Sequence, residues 1–89
     1  MRIMQDEDCI GLITYTYWEQ AQTGFVNNFY IRPEQRNQGF GGQAYNLVEQ
    51  HLRQLGTLTI TLEPESKAIP FYLRKGYIPG SDGTFHKTF

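Results

Sequence analysis

Apolar and polar positions along the chain follow a period of two over residues 1–31, then a period near 3.6, then two again, which predicts strands, a helix and further strands. Residues 1–5 are a short strand candidate, and Asp6, Glu7 and Asp8 supply a polar turn. Residues 10–18 are rich in β-branched and aromatic side chains, with Ile10, Leu12, Thr14, Thr16 and Trp18 expected on one face. Residues 19–24 are polar and end in Gly24, and residues 25–31 read as the next strand. An antiparallel meander is therefore expected over residues 1–31.

A polar loop follows over residues 32–38, then Gly39-Phe40-Gly41-Gly42. Tyr45, Val48, Leu52 and Leu55 recur at spacings of three and four, the mark of an amphipathic helix, and Gly56 stands where a left-handed terminating residue is wanted. Residues 58–62 return as a strand, and this strand-helix-strand crossover implies parallel pairing. A second helix is expected from about residue 66 to 75, with Arg74 and Lys75 complementing its dipole and Gly76 ending it. Pro70 is compatible only with its first turn. Residues 77–78 and 84–89 read as a closing hairpin. The fold class is α/β (α+β): a mixed, mostly antiparallel sheet with two helices, in one domain over residues 1–89.

Composition narrows the function. With 89 residues, the chain can bury roughly 60% of its unfolded surface, enough for a marginally stable fold that a ligand or partner would support. Eight Lys+Arg against nine Asp+Glu give a net charge of -1, which argues against a phosphate-tracking nucleic-acid surface. At 39% hydrophobic and 15% aromatic it is too apolar for disorder, and its apolar runs are too interrupted for a membrane span. The single Cys9 closes no intrachain disulfide and supplies no paired thiolates for zinc. No apolar stretch of signal-peptide length precedes the acidic turn, so a cytoplasmic location is expected.

The glycine segment is the chemically informative feature. A strand, a glycine-rich loop and a helix N-terminus aim several backbone N–H groups at one point beside the positive end of a helix dipole, which makes an anion site. Gly39, Gly41 and Gly42 allow close approach, and Arg36 can add a charged donor. A P-loop fails here, because Gln43 and Ala44 follow Gly42 instead of Lys and Ser or Thr. Gly39-x-Gly41-x-x-Ala44 matches a dinucleotide fingerprint, with Glu63 near the place of a ribose-binding acid. Against it, a polar segment containing Pro33 separates strand from glycine, and the chain is short for a two-halved dinucleotide fold.

Ile31-Arg32-Pro33-Glu34-Gln35-Arg36-Asn37-Gln38-Gly39-Phe40-Gly41 resembles the loop V-x-P-x-x-R-x-x-G-x-G of the GNAT superfamily of acyl-CoA-dependent N-acyltransferases, with Ile31 in place of Val. Ala68-Ile69-Pro70-Phe71-Tyr72-Leu73-Arg74-Lys75-Gly76-Tyr77 resembles a second family segment, A-x-x-F-Y-x-x-x-G-F. Two motifs in the family's order, with a helix and a strand between them, carry the resemblance. The first strand and following helix pair of larger relatives have no counterpart in it.

The resemblance implies acetyl-CoA as co-substrate, no metal, and transfer of acetyl to a primary amine of a small molecule or peptide, with no nucleic acid or membrane partner. Its pyrophosphate would lie on Arg36, Asn37, Gln38, Gly39, Phe40, Gly41 and Gly42, and its pantetheine arm along Phe29, Tyr30 and Ile31, opposite the strand ending at Leu62. Ser66 and Phe71 are expected at the cofactor, Ser66 alternatively capping the second helix. Glu65 stands where the second motif often has Asn. Tyr72 matches the tyrosine that serves the departing sulfur, and Glu63 resembles a position that some members use as base. Asn27 and Asn28 stand where others carry a carboxylate. Core packing is the competing explanation for the aromatics, and a solvated turn for Glu63.

His51 and His86 read as structural residues, and Cys9 as a small apolar one. A homodimer is expected, since Tyr15, Tyr17 and Trp18 lie in a strand without charge at the uncovered side of the sheet. The alternative function is a non-catalytic acyl-CoA-binding regulatory module.

Overall fold

The computed structural model describes residues 1–36 and 38–89. Strands β1 (Arg2–Gln5), β2 (Asp8–Trp18) and β3 (Thr23–Ile31) form the meander. Helix α1 (Phe40–Gln54), strand β4 (Thr59–Leu62), a 3-10 turn (Ser66–Ala68), helix α2 (Ile69–Arg74) and strands β5 (Ile78–Pro79) and β6 (Phe85–Thr88) follow. The six strands make one sheet in the order β1-β2-β3-β4-β6-β5. Only the β3–β4 pairing is parallel, as the helical crossover requires. Gly56 ends the α1 segment at φ 105°, and Gly76 stands beyond α2 at φ 92°. Pro70 falls in the first turn of α2, where its missing N–H costs no helical bond.

Both helices lie over one face of the sheet. Phe29 of β3 sits 5.3 Å from the Tyr45 ring of α1 and 5.4 Å from the Phe71 ring of α2. Ile10, Ile13, Val26, Tyr45, Val48, Leu52, Ile60, Leu62 and Tyr72 fill the space between. Leu12, Trp18 and Tyr30 are exposed instead.

This division corrects the expected face of β2. Ile10 has no partner in the β1–β2 ladder, where Ile3 pairs Gly11 and Met4 pairs Cys9. The extra residue breaks the alternation, so Ile10 and Ile13 are buried while Leu12 and Trp18 face outward. Tyr15 and Tyr17 are turned to α1: the Tyr17 hydroxyl donates to the Leu55 carbonyl at 2.9 Å, and the Tyr15 ring meets His51 edge-on. Of the three aromatics expected at an interface, Trp18 alone is exposed. Leu55, expected on the apolar face of α1, is also exposed, because it lies past the last full turn. Cys9 is exposed on β2, not packed. Among the described residues no helix is long and apolar enough to cross a membrane.

Candidate active site

A second bulge makes the site. Thr14 pairs Asn28 and Tyr15 pairs Val26, leaving Asn27 as the extra residue of β3. The amide groups of Asn27 and Asn28 donate to the Thr16 and Thr14 hydroxyls at 2.9 and 3.0 Å, which holds the bulge to β2. The parallel ladder with β4 stops at the same point, with Val26 opposite Leu62 as its last pair. Over residues 27–31 the side of β3 that faced β4 therefore carries N–H and C=O groups without a strand partner. Added twist at a bulge is the physical cause of the divergence.

The gap between the strands opens into a groove with two stretches. The inner one, about 300 Å³, is lined by residues 26–30, Leu62, Glu63, Glu65, Ala68 and Tyr72. The outer one, about 310 Å³, runs past Phe29, Tyr30, Ile31, Arg36, Glu65, Lys67, Ala68, Pro70, Phe71 and Arg74. Each falls at the small end of ligand-pocket volumes, and shared walls make them one path. A larger open depression, about 490 Å³, lies elsewhere, between the polar flank of α1 at Gln50 and Arg53 and Lys87 of β6. It touches none of the glycine loop, Glu63 or Tyr72.

The N-terminus of α1 packs at Gly41 against Phe29 and Ile31, two walls of the outer stretch. Gly39 is its cap residue at φ 84°, a left-handed conformation that favours glycine. Among the described residues no side chain caps the helix, and no acid lies in its first turn. The Gln43 amide bonds the Gly39 carbonyl at 3.1 Å, so the N–H groups of Phe40, Gly41 and Gly42 precede the helical ladder. A Cβ added at Gly39 or Gly42 would meet no described atom within 4 Å, so the space above these amides is open. Gly41 differs. Its Cβ would lie 3.1 Å from Phe29 Cζ and 3.3 Å from Ile31 Cγ1, so Gly41 is small because the helix packs there on β3. Arg36 reaches back, donating from Nε to the Ile31 carbonyl at 2.8 Å with its guanidinium 5.5 Å from the Tyr30 ring centre.

Tyr72 ends the inner stretch. It is 5% exposed and held edge-on by the rings of Phe71, Tyr77 and Tyr45 at 5.2, 5.7 and 5.8 Å. Burial, with Glu65 as a further cause, pushes its hydroxyl up to about 12, so the group is a proton donor at neutral pH. Glu63 is exposed at the end of β4 on the same stretch, with Asn27 and Asn28 across from it.

Several expected residues lie elsewhere or act differently. Ser66 is exposed, lines neither stretch, and caps neither the 3-10 turn nor α2. The Phe40 ring is half-buried on the other side of α1 beside Met1, Met4 and Leu47, leaving only its amide at the open helix N-terminus. Gln38 bonds within the loop, from Nε2 to the Glu34 carbonyl at 3.2 Å. Asn37 lies outside the described residues. Lys75 stands at the C-terminal end of α2, as expected for its dipole, and also bonds the Asn46 side chain and the Gly42 carbonyl, strapping the end of α2 to the glycine turn.

The sequence reading missed the polar chain behind Tyr72. Glu49, 7% exposed, accepts from the Tyr77 hydroxyl at 2.8 Å, which accepts from the Tyr45 hydroxyl at 2.8 Å. Lys87 from β6 closes the chain on Glu49 at 3.4 Å. Burial raises the Tyr45 and Tyr77 hydroxyls far above their ordinary range, so both stay protonated as donors. Helical spacing could have found Glu49, since 45, 48, 49 and 52 form one stripe.

The profile of the Acetyltransferase (GNAT) family matches residues 2–77. Sequence comparison with curated proteins gave no match. Among solved structures, a Klebsiella pneumoniae protein described as an acyl-CoA N-acyltransferase superposes at a TM-score of 0.88 with 24% identity, over 98% of this chain and 69% of that one. Tetrahymena GCN5 gives 0.85 and 17%, over 99% and 66%. The PaiA N-acetyltransferase of Thermoplasma acidophilum, solved with coenzyme A, gives 0.81 and 20%, over 97% and 57%. The chain thus spans between 57% and 69% of the lengths of these three structures. With the family profile running over most of its length, and the divergent parallel strands and glycine turn both in place, the chain belongs to the GNAT family of acetyltransferases.

Proposed function

We propose that this chain is an acetyl-CoA-dependent N-acetyltransferase whose acceptor is a primary amine. The observation that carries the reading is the groove: its two stretches run along the unpaired edge of β3 to Tyr72, and its wall residues Phe29 and Ile31 also pack on the start of α1 at Gly41. Open space over Gly39 and Gly42 fits a pyrophosphate on the amides of residues 40–42, with Arg36 beside it. The strand-unpaired groups of residues 27–30 fit an amide-bearing arm that adds itself as a strand. Coenzyme A, present in the Thermoplasma acidophilum structure, has both parts.

In this reading the amine attacks the thioester carbon, the carbon–sulfur bond breaks, and the departing sulfur takes a hydrogen bond or proton from Tyr72. A donor near 12 keeps its proton throughout the range in which amines lose theirs. Glu63 accepts the amine proton, directly or through water, while the Asn27 and Asn28 carboxamides across the groove serve as neutral partners. Release of free thiol from acetyl-CoA, followed across small amines, polyamines and peptides, tests the function. Amine-dependent release with a matching acetylated product is expected. Tight binding of acetyl-CoA with no release for any amine would instead establish a regulatory binding module.

A further inference from the structure

The outer stretch of the groove holds more positive charge than a pyrophosphate on helix amides uses. Arg36 enters it from the loop, Lys67 from the 3-10 turn and Arg74 from α2. None of the three forms an ion pair among the described residues, whose two salt bridges are Arg32–Glu34 and Lys87–Glu49. Lys67, Phe71 and Arg74 are four and three residues apart, so the winding of turn and helix presents them on one side, across from Tyr30 and Arg36. Glu65 is the one carboxylate on these walls, which leaves an excess of two positive charges in a chain whose net charge is -1. Lys67 and Arg74 are exposed, so packing does not explain their placement.

Uncompensated cations facing each other across a groove fit a phosphate monoester, which carries close to two negative charges at neutral pH. We propose that Lys67 and Arg74, opposite Arg36, form a subsite for the 3′-phosphate of the coenzyme A ribose, so that this chain selects the 3′-phosphorylated cofactor over 3′-dephospho-coenzyme A. The inference rests on the coenzyme A reading above and adds to it a determinant of cofactor choice. Each contact is solvent-exposed and screened by salt, so the pair together is worth about tenfold in affinity at low ionic strength.

Calorimetric titration of the full chain with coenzyme A and with 3′-dephospho-coenzyme A tests it, run on the native protein and on the double variant Lys67→Gln/Arg74→Gln. Native protein should bind coenzyme A about tenfold more tightly, a margin that shrinks as salt rises. The double variant should bind both ligands with the affinity that native protein shows for the dephospho form. Equal affinities in native protein, or an equal loss for both ligands in the variant, would overturn the subsite. Binding of neither ligand by native protein would overturn the coenzyme A reading itself, and the subsite with it.

Discussion

Tyr72 and Tyr77 are neighbours in space and in sequence, yet their hydroxyls differ in what they do. The Tyr77 hydroxyl joins Tyr45 to Glu49, whereas Tyr72 makes its contacts through its ring and presents its hydroxyl to the groove. Tyr77→Phe should therefore cost about 1–3 kcal/mol, because it leaves a buried carboxylate and a buried phenol short of partners. Tyr72→Phe should leave stability nearly unchanged; urea midpoints of the two variants check both. Glu63→Gln should displace the rate profile to higher pH, where more of the amine is already unprotonated, and pH–rate curves read this directly. At this scale the sequence was legible where a motif fixed a residue, as with Tyr72, Gly39 and Arg36. Spacing alone puts Glu49 on the buried stripe of α1, but its partners were not legible, since Tyr77 and Lys87 arrive from beyond α2 and from β6.

At the scale of elements, the glycine turn separates two jobs that the sequence reading had merged. Gly41→Val drives a side chain into Phe29 and Ile31, and overpacking of this kind costs about 1–3 kcal/mol. Gly42→Val meets open space and should leave the melting temperature close to native while weakening coenzyme A binding. Calorimetry beside thermal melts separates the pair; equal effects on both quantities would contradict the division. Strands, helices and the parallel crossover were readable because each has its own hydrophobic period. The two bulges, at Ile10 and Asn27, were not, since one inserted residue changes which face every later side chain takes while leaving composition and period locally intact. The second of these opens the groove, so the shape of the site was less legible than its residues.

For the whole molecule, three buried tyrosines at the junction of α1, α2 and the sheet set an alkaline limit. Tyr45, Tyr72 and Tyr77 all bind their protons more tightly folded than unfolded, chiefly through burial. Their stabilising effect is complete below the ordinary tyrosine value of 10.0 and declines as pH rises toward the folded values. Far-UV circular dichroism followed with tyrosinate absorbance should show unfolding and ionisation together above pH 10; free titration of all six tyrosines with the fold intact would contradict this. Acetyl-CoA, bound as proposed, should act in the opposite direction. At 100 times its dissociation constant it should add about 2.7 kcal/mol, and in a chain this small raise the melting temperature by roughly ten degrees, with NADH doing much less.

In the proposed reaction the groove delivers a thioester to the Tyr72 hydroxyl. The most direct test is the rate of amine-dependent thiol release by Tyr72→Phe at saturating acetyl-CoA, relative to native protein. The expected result is a fall of about 10²-fold with cofactor affinity unchanged. A rate equal to that of the native protein would remove Tyr72 from the reaction.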